Sequence, residues 1–342
     1  MKKIFILFTL LILVLTSCGT SNAKFEYWNE SSKSLNTLRE YVSDVTNKNS
    51  KNYIPECDRI ATFDMDGTLY GELFPTYFEY LLFCHRVLDD KTYTQATPEM
   101  IETATTIRQN KYTWNMTQPG LELKHAHGQA QAFSGMTVAE FEKYVKDFLN
   151  TKAEGFNNLL YKDAFYLPMI ELVKYLQENK FMTYIVSGSD RFICRALASE
   201  AFNIPYNQII GMDVVLEAEN QNGVDGLEYQ FTQTDKLIRT GELLIKNLKM
   251  NKVTAITKEI GKQPVLAFGN SSGDVSMLNY AMTNPKYKGA GFMVVADDEK
   301  DDFVSMAETN KRIESWNKYG YNIFSMKDDF KTIYGYSVSK IS

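Results

Sequence analysis

The sequence predicts an α/β fold in which a doubly wound parallel sheet is covered by helices on both faces. Three short apolar runs, 60–63, 181–186 and 264–268, each end in polar residues, as buried strands of a parallel sheet commonly do. Amphipathic patterns typical of helices separate these runs, and the alternation favours a three-layer α/β/α, Rossmann-like arrangement. The chain has 342 residues, which is enough for one large core and a smaller added domain.

The amino-terminal residues predict export. Two lysines precede the apolar run 4–15, which is too short to span a bilayer comfortably, so 1–17 is predicted to be a signal peptide that is removed. The sequence Leu15-Thr16-Ser17-Cys18 is similar to a bacterial lipobox, and this implies lipid attachment at Cys18. We therefore expect an exported protein that is lipid-anchored to a bacterial membrane, in the periplasm or cell envelope. The alternative is an ordinary signal with a chance cysteine.

The remaining chain is predicted to contain a core interrupted by one insertion. Residues 18–54 are predicted to form a tether and an amino-terminal helix. The core is assigned to 55–73 and 162–342. Between them, 74–161 shows helical patterns and no strand pattern, so it is predicted to be a helical cap domain.

Individual elements follow from local patterns. Helices are predicted over 31–46, 76–88, 98–108 and 191–201, and from the capping box Thr137-Val138-Ala139-Glu140 onwards. Further strands are predicted over 208–212, 291–296 and 321–325. A β-hairpin projecting from the core is predicted from 213–218 and 227–231, because these runs flank Asn222-Gly223.

Composition and charge narrow the functional classes. Hydrophobic residues make up 44% and charged residues 23% of the chain, the ordinary balance of a globular protein. The formal net charge is −5 and becomes more negative once the signal lysines are removed, so no nucleic acid partner is expected. Cys57, Cys84 and Cys194 remain in the mature chain, and their pairing stays open. His125 and His127 lie in a turn-like stretch, where a solvated or hydrogen-bonded role is favoured over metal binding.

Asp64 and Asp66 are the residues that most directly indicate a catalytic site. They follow the strand 60–63, and residues i and i+2 of a strand point the same way, so both carboxylates can face one small site. Their mutual repulsion then requires a cation or a shared proton. We interpret the two as a catalytic pair, and the alternative is a strand that ends in an Asp-Gly turn. Polar groups that follow the other strands would converge on the same crevice.

Four motifs, in this order, resemble those of the haloacid dehalogenase superfamily. They are Asp64-Met65-Asp66-Gly67-Thr68, Ser187, Lys252 at the start of an amphipathic run, and Gly269-Asn270-Ser271-Ser272-Gly273-Asp274. The resemblance covers roughly residues 55 to 335. The helix that begins Lys252-Val253-Thr254-Ala255-Ile256 looks like that of phosphoserine-phosphatase-like members. The insertion after the first motif has the position of the family's first class of cap.

The resemblance implies a role for each motif residue. Asp64 would be the nucleophile that forms an aspartyl-phosphate, and Asp66 would act as general acid and then as general base. An acid at position 66 favours a phosphatase over the family's ion pumps and dehalogenases. Ser187, Gly188 and Lys252 would bind the phosphate.

A magnesium ion is the implied cofactor. Mg²⁺ would be held by oxygen atoms of Asp64, Asp66, Asn270 and Asp274, with Asp66 contributing its backbone carbonyl and Asp274 in the first or second shell of ligands. Asn270 departs from the family pattern, because most members have Asp there. Weaker metal binding or a changed metal preference is expected from the loss of this charge.

The implied activity is hydrolysis of a small phosphorylated metabolite, with phosphoserine-like substrates favoured. Glu72 lies eight residues after Asp64, one short of the spacing at which phosphoserine phosphatases place a glutamate for the substrate amine. A phosphocholine-type substrate is an alternative, since aromatic residues could cage a quaternary amine, although packing of the cap explains them as well. These are Tyr70, Phe74, Tyr77, Phe78, Tyr80 and Trp114. Phosphotransfer to an alcohol and, without catalysis, a phosphate-ligand-binding lipoprotein are further alternatives.

Overall fold

The structure is a computed structural model that describes residues 24–72, 75–116 and 118–341. The predicted signal peptide, the lipidation site Cys18 and the aromatic residue Phe74 lie outside the described residues. Within the described residues, no helix is both long and apolar enough to cross a membrane.

A central sheet of seven strands confirms the predicted α/β fold class. The described residues form nine strands, seven in this sheet and two in a separate pair. They are β1 (Ile60–Phe63), β2 (Phe156–Asn157), β3 (Met182–Asp190), β4 (Ile209–Ala218), β5 (Leu237–Ile245), β6 (Leu266–Gly269), β7 (Ala290–Val295), β8 (Asn322–Ser325) and β9 (Ser339–Lys340). The order in the sheet is β5-β4-β3-β1-β6-β7-β8, while β2 and β9 form a separate antiparallel pair. Only the β4–β5 pairing within the described sheet is antiparallel.

Strand β1 lies in the middle of the sheet and brings the first motif to its carboxyl edge. All four residues of β1 are buried, and Phe63 pairs with Ile185 of β3 on one side and Phe268 of β6 on the other. The Phe63 and Phe268 rings stack with their centroids 4.3 Å apart. Asp64 therefore leaves the sheet between two parallel neighbours, at the edge where ligands of open α/β sheets bind.

Helices cover both faces of the sheet and form the insertion. They are α1 (Lys33–Thr46), α2 (Phe78–Cys84), α3 (Pro98–Asn110), α4 (Leu121–Ala132), α5 (Val138–Leu149), α6 (Leu167–Glu178), α7 (Arg191–Phe202), α8 (Met250–Ala255), α9 (Val275–Met282), α10 (Met306–Tyr319) and α11 (Met326–Asp329). Helices α2 to α5 fall between β1 and β3 in sequence, within the predicted cap segment 74–161, and are called the cap helices below. The capping box of Thr137 and Glu140 at the start of α5 is confirmed.

The predicted hairpin partner was wrong. Strand β4 combines most of the predicted strand 208–212 with the first hairpin run 213–218 and pairs with β5, whereas 227–231 forms no strand. Asn222 and Gly223 do have positive φ values of 51° and 76°, but their turn belongs to a longer loop. In that loop the Asp235 carboxylate accepts hydrogen bonds from the backbone N–H and the hydroxyl of Thr232. Such side-chain bonds compete with a strand ladder, so the second strand begins only after them.

The turn predicted around His125 was also wrong. His125 lies on α4 and is fully buried, with its ring centroid 3.8 Å from that of Tyr80. Gly128, one of the glycines in this Gly-rich stretch, lies inside the helix, where a Cβ atom would come within 2.9 Å of Phe83. The glycine therefore permits close packing rather than a turn. The His125 ring packs against the rings of Tyr80 and Phe83, so the residue belongs to the core between these helices.

Candidate active site

An open cleft of about 570 Å³ lies at the carboxyl edge of β1, β3 and β6. Core residues at this edge and cap residues from α2 and α4 share its lining. The residues that matter for its chemistry are Asp64, Asp66, Tyr77, Glu79, Tyr80, Gly188, Ser189, Asn270 and Asp274. The structure thus brings the first and fourth motifs together with Gly188 and Ser189, the two residues after Ser187, as the positions of their strands predict.

Lys252 joins the first and fourth motifs. Its Nζ atom lies 2.6 Å from Oδ1 of Asp64 and 2.6 Å from Oδ1 of Asp274, and all three side chains are buried. Burial lowers the pKa of Lys252, but the two carboxylates outweigh burial, and the pKa is raised overall. Lys252 is therefore a charged residue that holds Asp64 in place.

Asp274 closes the loop that carries the fourth motif. Its Oδ2 atom accepts hydrogen bonds from the backbone N–H groups of Asn270 and Ser271, at 3.1 and 3.0 Å. Since Lys252 occupies Oδ1, both oxygens of Asp274 already have protein partners. This geometry suits Asp274 to shaping the loop and positioning Lys252.

Asp66 lines the same cleft as Asp64 and has one carboxyl oxygen without a partner among the described residues. Its Oδ2 atom accepts a hydrogen bond of 2.6 Å from the Ser189 hydroxyl, and Oδ1 has no partner among the described residues. Burial raises the pKa of Asp66 to about 7, with the charges of Glu79 and Glu72 adding to the shift and Ser189 opposing it. A carboxyl group with a pKa near neutrality can both give and take a proton in one catalytic cycle.

Glu72 lies beside Asn270 and outside the lining of the main cleft. Its two oxygens accept hydrogen bonds from Nδ2 of Asn270 at 2.5 Å and from the Tyr77 hydroxyl at 2.9 Å, and the side chain is 1% exposed. Together with Gly67 and Asn270 it lines a small adjoining cavity. Its predicted contact with a substrate amine remains a prediction. An acid thus stands next to position 270, although position 270 is itself an amide.

Gly67 makes this close approach possible. It has a φ of +81°, and a Cβ atom there would lie 1.8 Å from Nδ2 of Asn270 and 2.5 Å from Oε2 of Glu72. Two independent constraints therefore require glycine: the left-handed backbone and the space occupied by these side chains.

We expect Gly67→Ala to lower stability and activity together. The left-handed conformation alone costs a side chain roughly 1–2 kcal/mol, and displacement of Asn270 and Glu72 adds to that cost. Gly223→Ala is the matched control, because Gly223 also has positive φ but has open space around a Cβ atom. The free energy of unfolding should fall by more in Gly67→Ala than in Gly223→Ala. Equal losses would show that the contacts of Gly67 do not matter.

Ser187, the predicted phosphate-binding serine of the second motif, lies behind the surface of the cleft rather than in its lining. Ser187 is fully buried, its Oγ accepts a hydrogen bond from the backbone N–H of Ser189, and it does not line the cleft. Gly188 and Ser189 do line the cleft. A Cβ atom at Gly188 would lie 2.6 Å from Leu248, so glycine is needed for packing here. Sequence reasoning missed Ser189, although the short Ser-Gly-Ser run at the end of a strand could have indicated it.

The cap is tied to the core around Asp190. The backbone N–H of Asp190 donates to Glu79 of α2 at 3.0 Å, and its carboxylate forms a fully buried ion pair of 2.7 Å with Arg239 of β5. The Arg239 guanidinium lies over the Phe141 ring of α5, 3.9 Å from the centroid. Helices α2 and α5, strand β5 and the end of β3 therefore meet at one point. Sequence reasoning missed these residues, because the contacts join distant segments.

The described aromatic residues that were considered as a cage are divided between the cleft and other parts of the structure. Tyr77 and Tyr80 line the cleft, whereas Tyr70 and Phe78 are core residues and Trp114 stacks on Tyr112. The five of these aromatic residues that the structure describes therefore do not form one cage around the cleft. Among the described residues the three cysteines are unpaired: Cys57 is exposed, and Cys84 and Cys194 are buried.

The oxygen atoms at the cleft fit a magnesium ion. Asp64, the Asp66 carbonyl and Asn270 are hard oxygen donors of the kind that Mg²⁺ prefers. Burial, followed by repulsion from Asp274, raises the pKa of Asp64 although Lys252 opposes the shift, so an added cation would favour the ionised form. Within the described residues, no three His, Cys, Asp or Glu side chains form a metal-binding group. A site here would therefore depend on amide and backbone oxygens.

Comparison with known proteins identifies the family. The sequence profile of the haloacid dehalogenase-like hydrolases matches residues 61–279, from β1 to α9. The chain belongs to this family. It is therefore a hydrolase, and the matched segment contains all four motifs. No curated protein matches the sequence of this hydrolase.

Solved structures support the fold of this haloacid dehalogenase-like hydrolase. A conserved protein of unknown function from Anaerococcus prevotii DSM 20548 is 14% identical, with a TM-score of 0.52 over 87% of this chain and 92% of that chain. A protein of unknown function from Bordetella pertussis Tohama I is 13% identical, with a TM-score of 0.50 over 78% of this chain and 97% of that chain. At these identities the likeness concerns the fold alone.

Proposed function

We propose that this hydrolase is a Mg²⁺-dependent phosphomonoesterase that works through an aspartyl-phosphate on Asp64. The observation that carries the proposal is the buried contact of Lys252 with Asp64 and Asp274, at 2.6 Å each, with Asp66 beside it. A phosphoserine-like metabolite is the favoured substrate, in keeping with the resemblance. A protein that only binds a phosphate ligand would not need two carboxylates where the anion must lie.

Two displacements at phosphorus complete the reaction. A carboxylate oxygen of Asp64 attacks phosphorus, the bond to the ester oxygen breaks, and Asp66 gives its proton to the departing alkoxide. Asp66 then takes a proton from a water molecule, whose oxygen attacks the phosphorus of the aspartyl-phosphate. Inorganic phosphate leaves, and Asp64 is regenerated as a carboxylate. Throughout, Lys252 keeps Asp64 oriented.

Positive charge must offset the meeting of an anionic nucleophile with an anionic phosphate. Lys252 supplies part of it from within the protein. Asp64, the backbone carbonyl of Asp66 and Asn270 would hold Mg²⁺, which when bound supplies the remainder. Gly188 and the backbone near Ser189 would face phosphate oxygens from the cleft wall.

Phosphate release from a small panel of esters tests the function. The purified protein should release phosphate from phosphoserine, phosphocholine or p-nitrophenyl phosphate. We expect release to stop when EDTA removes divalent metal and to return when excess Mg²⁺ is added, because the oxygen donor set suits that ion. Activity that persists in EDTA would contradict the metal requirement. An added alcohol that increases ester consumption beyond phosphate release would indicate a phosphotransferase instead.

We also propose that the protein is exported and lipid-anchored to a bacterial membrane. The proposal rests on the sequence of 1–17 and on Cys18 alone. Labelling with a fatty-acid analogue would test it, and equal labelling of the wild type and Cys18→Ala would refute attachment at that cysteine.

A further inference from the structure

Helix α10 forms a wall of the cleft that no sequence motif marks. Glu308, Arg312, Ser315 and Tyr319 line the cleft, and their spacing of four, three and four residues places them on one helical face. Helix α10 connects β7 to its parallel neighbour β8, so it runs away from the carboxyl edge of the sheet. Because helical side chains lean toward the amino end of their helix, Arg312 reaches back toward that edge.

The charged groups around Arg312 are mostly paired. Two other cations that line the cleft have carboxylate partners: Lys246 with Glu79 at 3.5 Å and Lys311 with Glu308 at 2.7 Å. Lys252, which is buried and does not line the cleft, is paired with Asp64 and Asp274, both at 2.6 Å. In the part of the chain that the structure describes, the side chains of Lys249 and Arg312 make neither an ion pair nor a hydrogen bond. Lys249 is exposed and can be hydrated, whereas Arg312 is only partly exposed. A guanidinium that has lost part of its hydration is stabilised by a ligand that accepts its hydrogen bonds.

Arg312 lies beside the point of phosphoryl transfer rather than at it. It lines the main cleft, and it also lines the small cavity formed with Gly67, Glu72 and Asn270. Asp64 and Asp66 do not border that cavity. Arg312 therefore lies where the main cleft adjoins the side of the site formed by Glu72 and Asn270.

We propose that Arg312 is a specificity-determining residue that binds a second anionic group of the substrate, a carboxylate or a second phosphate. The planar guanidinium can donate two parallel hydrogen bonds to either group, and such charge-assisted bonds are stronger than neutral ones. The nearby ring of Tyr319, which is half exposed and lines the cleft, offers apolar surface to the carbon chain that joins the two anionic groups. This inference rests on the proposed phosphomonoesterase activity and narrows its substrate class.

Matched substrate pairs test this inference. In the first pair, 3-phosphoglycerate has a carboxylate where glycerol 3-phosphate has a hydroxymethyl group. In the second pair, 1,3-propanediol bisphosphate has a second phosphate that 1,3-propanediol monophosphate lacks. In the wild type, kcat/KM should favour the member with two anionic groups in at least one pair, by about tenfold or more. The pair that shows the preference identifies the second group. Arg312→Gln should remove most of that preference, and Arg312→Lys should retain part of it.

Lys318→Ala is the matched control, because Lys318 lies on the same helix, is paired with Glu314 and does not line the cleft. It removes the same charge and should leave both substrate ratios unchanged. Wild-type ratios near one, with both members hydrolysed, would overturn the inference and leave the proposed function intact. Equal losses of both members in Arg312→Gln would also overturn it, since Arg312 would then act on the reacting phosphate or on the fold. Failure of the wild type to hydrolyse any ester would overturn the proposed function itself.

Discussion

Asp64→Asn is expected to reduce phosphate release by more than about a thousandfold, the largest effect of any single substitution at this site. An amide is a poor nucleophile and cannot form the acyl-phosphate. The side chain keeps its size, and Lys252 keeps its second carboxylate partner, Asp274, at 2.6 Å. The fold should therefore survive, with a modest fall in the melting temperature caused by the weakened contact with Lys252.

Acid quenching during turnover separates the nucleophile from other roles. With a substrate labelled in its phosphate, the wild type should carry protein-bound label that is stable in acid and lost with hydroxylamine, as an acyl-phosphate is. Asp64→Asn should carry none. A variant that keeps more than about one per cent of wild-type kcat, with contamination excluded, would contradict the assignment.

Asp302→Asn controls for the loss of a buried carboxyl group. Asp302 is fully buried and accepts hydrogen bonds from the backbone N–H of Phe303 and the hydroxyl of Tyr334, away from the cleft. Asp302→Asn should change the free energy of unfolding while leaving kcat close to that of the wild type. If it reduces kcat as much as Asp64→Asn does, the loss in the latter reflects the fold rather than the chemistry.

The positions of site residues that directly follow a strand could be predicted from the sequence. Asp64, Asp66 and Asn270 each follow a buried apolar run, and the carboxyl ends of parallel strands meet at one edge, so the runs alone bring them together. Lys252 was predicted from the resemblance, and its contacts with Asp64 and Asp274 fit that position.

Features that depend on contacts between distant segments could not be predicted. Glu72 accepts a hydrogen bond from Asn270, 198 residues further along the chain, and no local spacing in the sequence indicated this contact. Arg239 meets Asp190 because β5 pairs with β4, and the sequence did not indicate that pairing since an earlier turn looked like the end of the hairpin. His125 was misassigned because Gly128 permits close helix packing as readily as a turn.

Asp66→Asn should lower kcat for ordinary alkyl phosphates by on the order of a hundredfold to ten-thousandfold. Asp66 has one oxygen engaged by the Ser189 hydroxyl at 2.6 Å and another, Oδ1, without a partner among the described residues. Oδ1 is therefore the atom that can carry the proton for the leaving alkoxide. An amide at this position can keep the contact with Ser189, but it cannot transfer a proton at neutral pH.

The dependence on the leaving group makes this role testable. The p-nitrophenolate ion leaves without protonation, so Asp66→Asn should lose much less activity on p-nitrophenyl phosphate than on glycerol 3-phosphate. Ser189→Ala provides a comparison that keeps the acid and removes only its hydrogen-bond donor, so its losses should be smaller and similar for both esters. Equal large losses of both esters in Asp66→Asn would contradict the general-acid role. Asp66 would then act mainly by holding the first motif in shape, and the proton for the alkoxide would have to come from water.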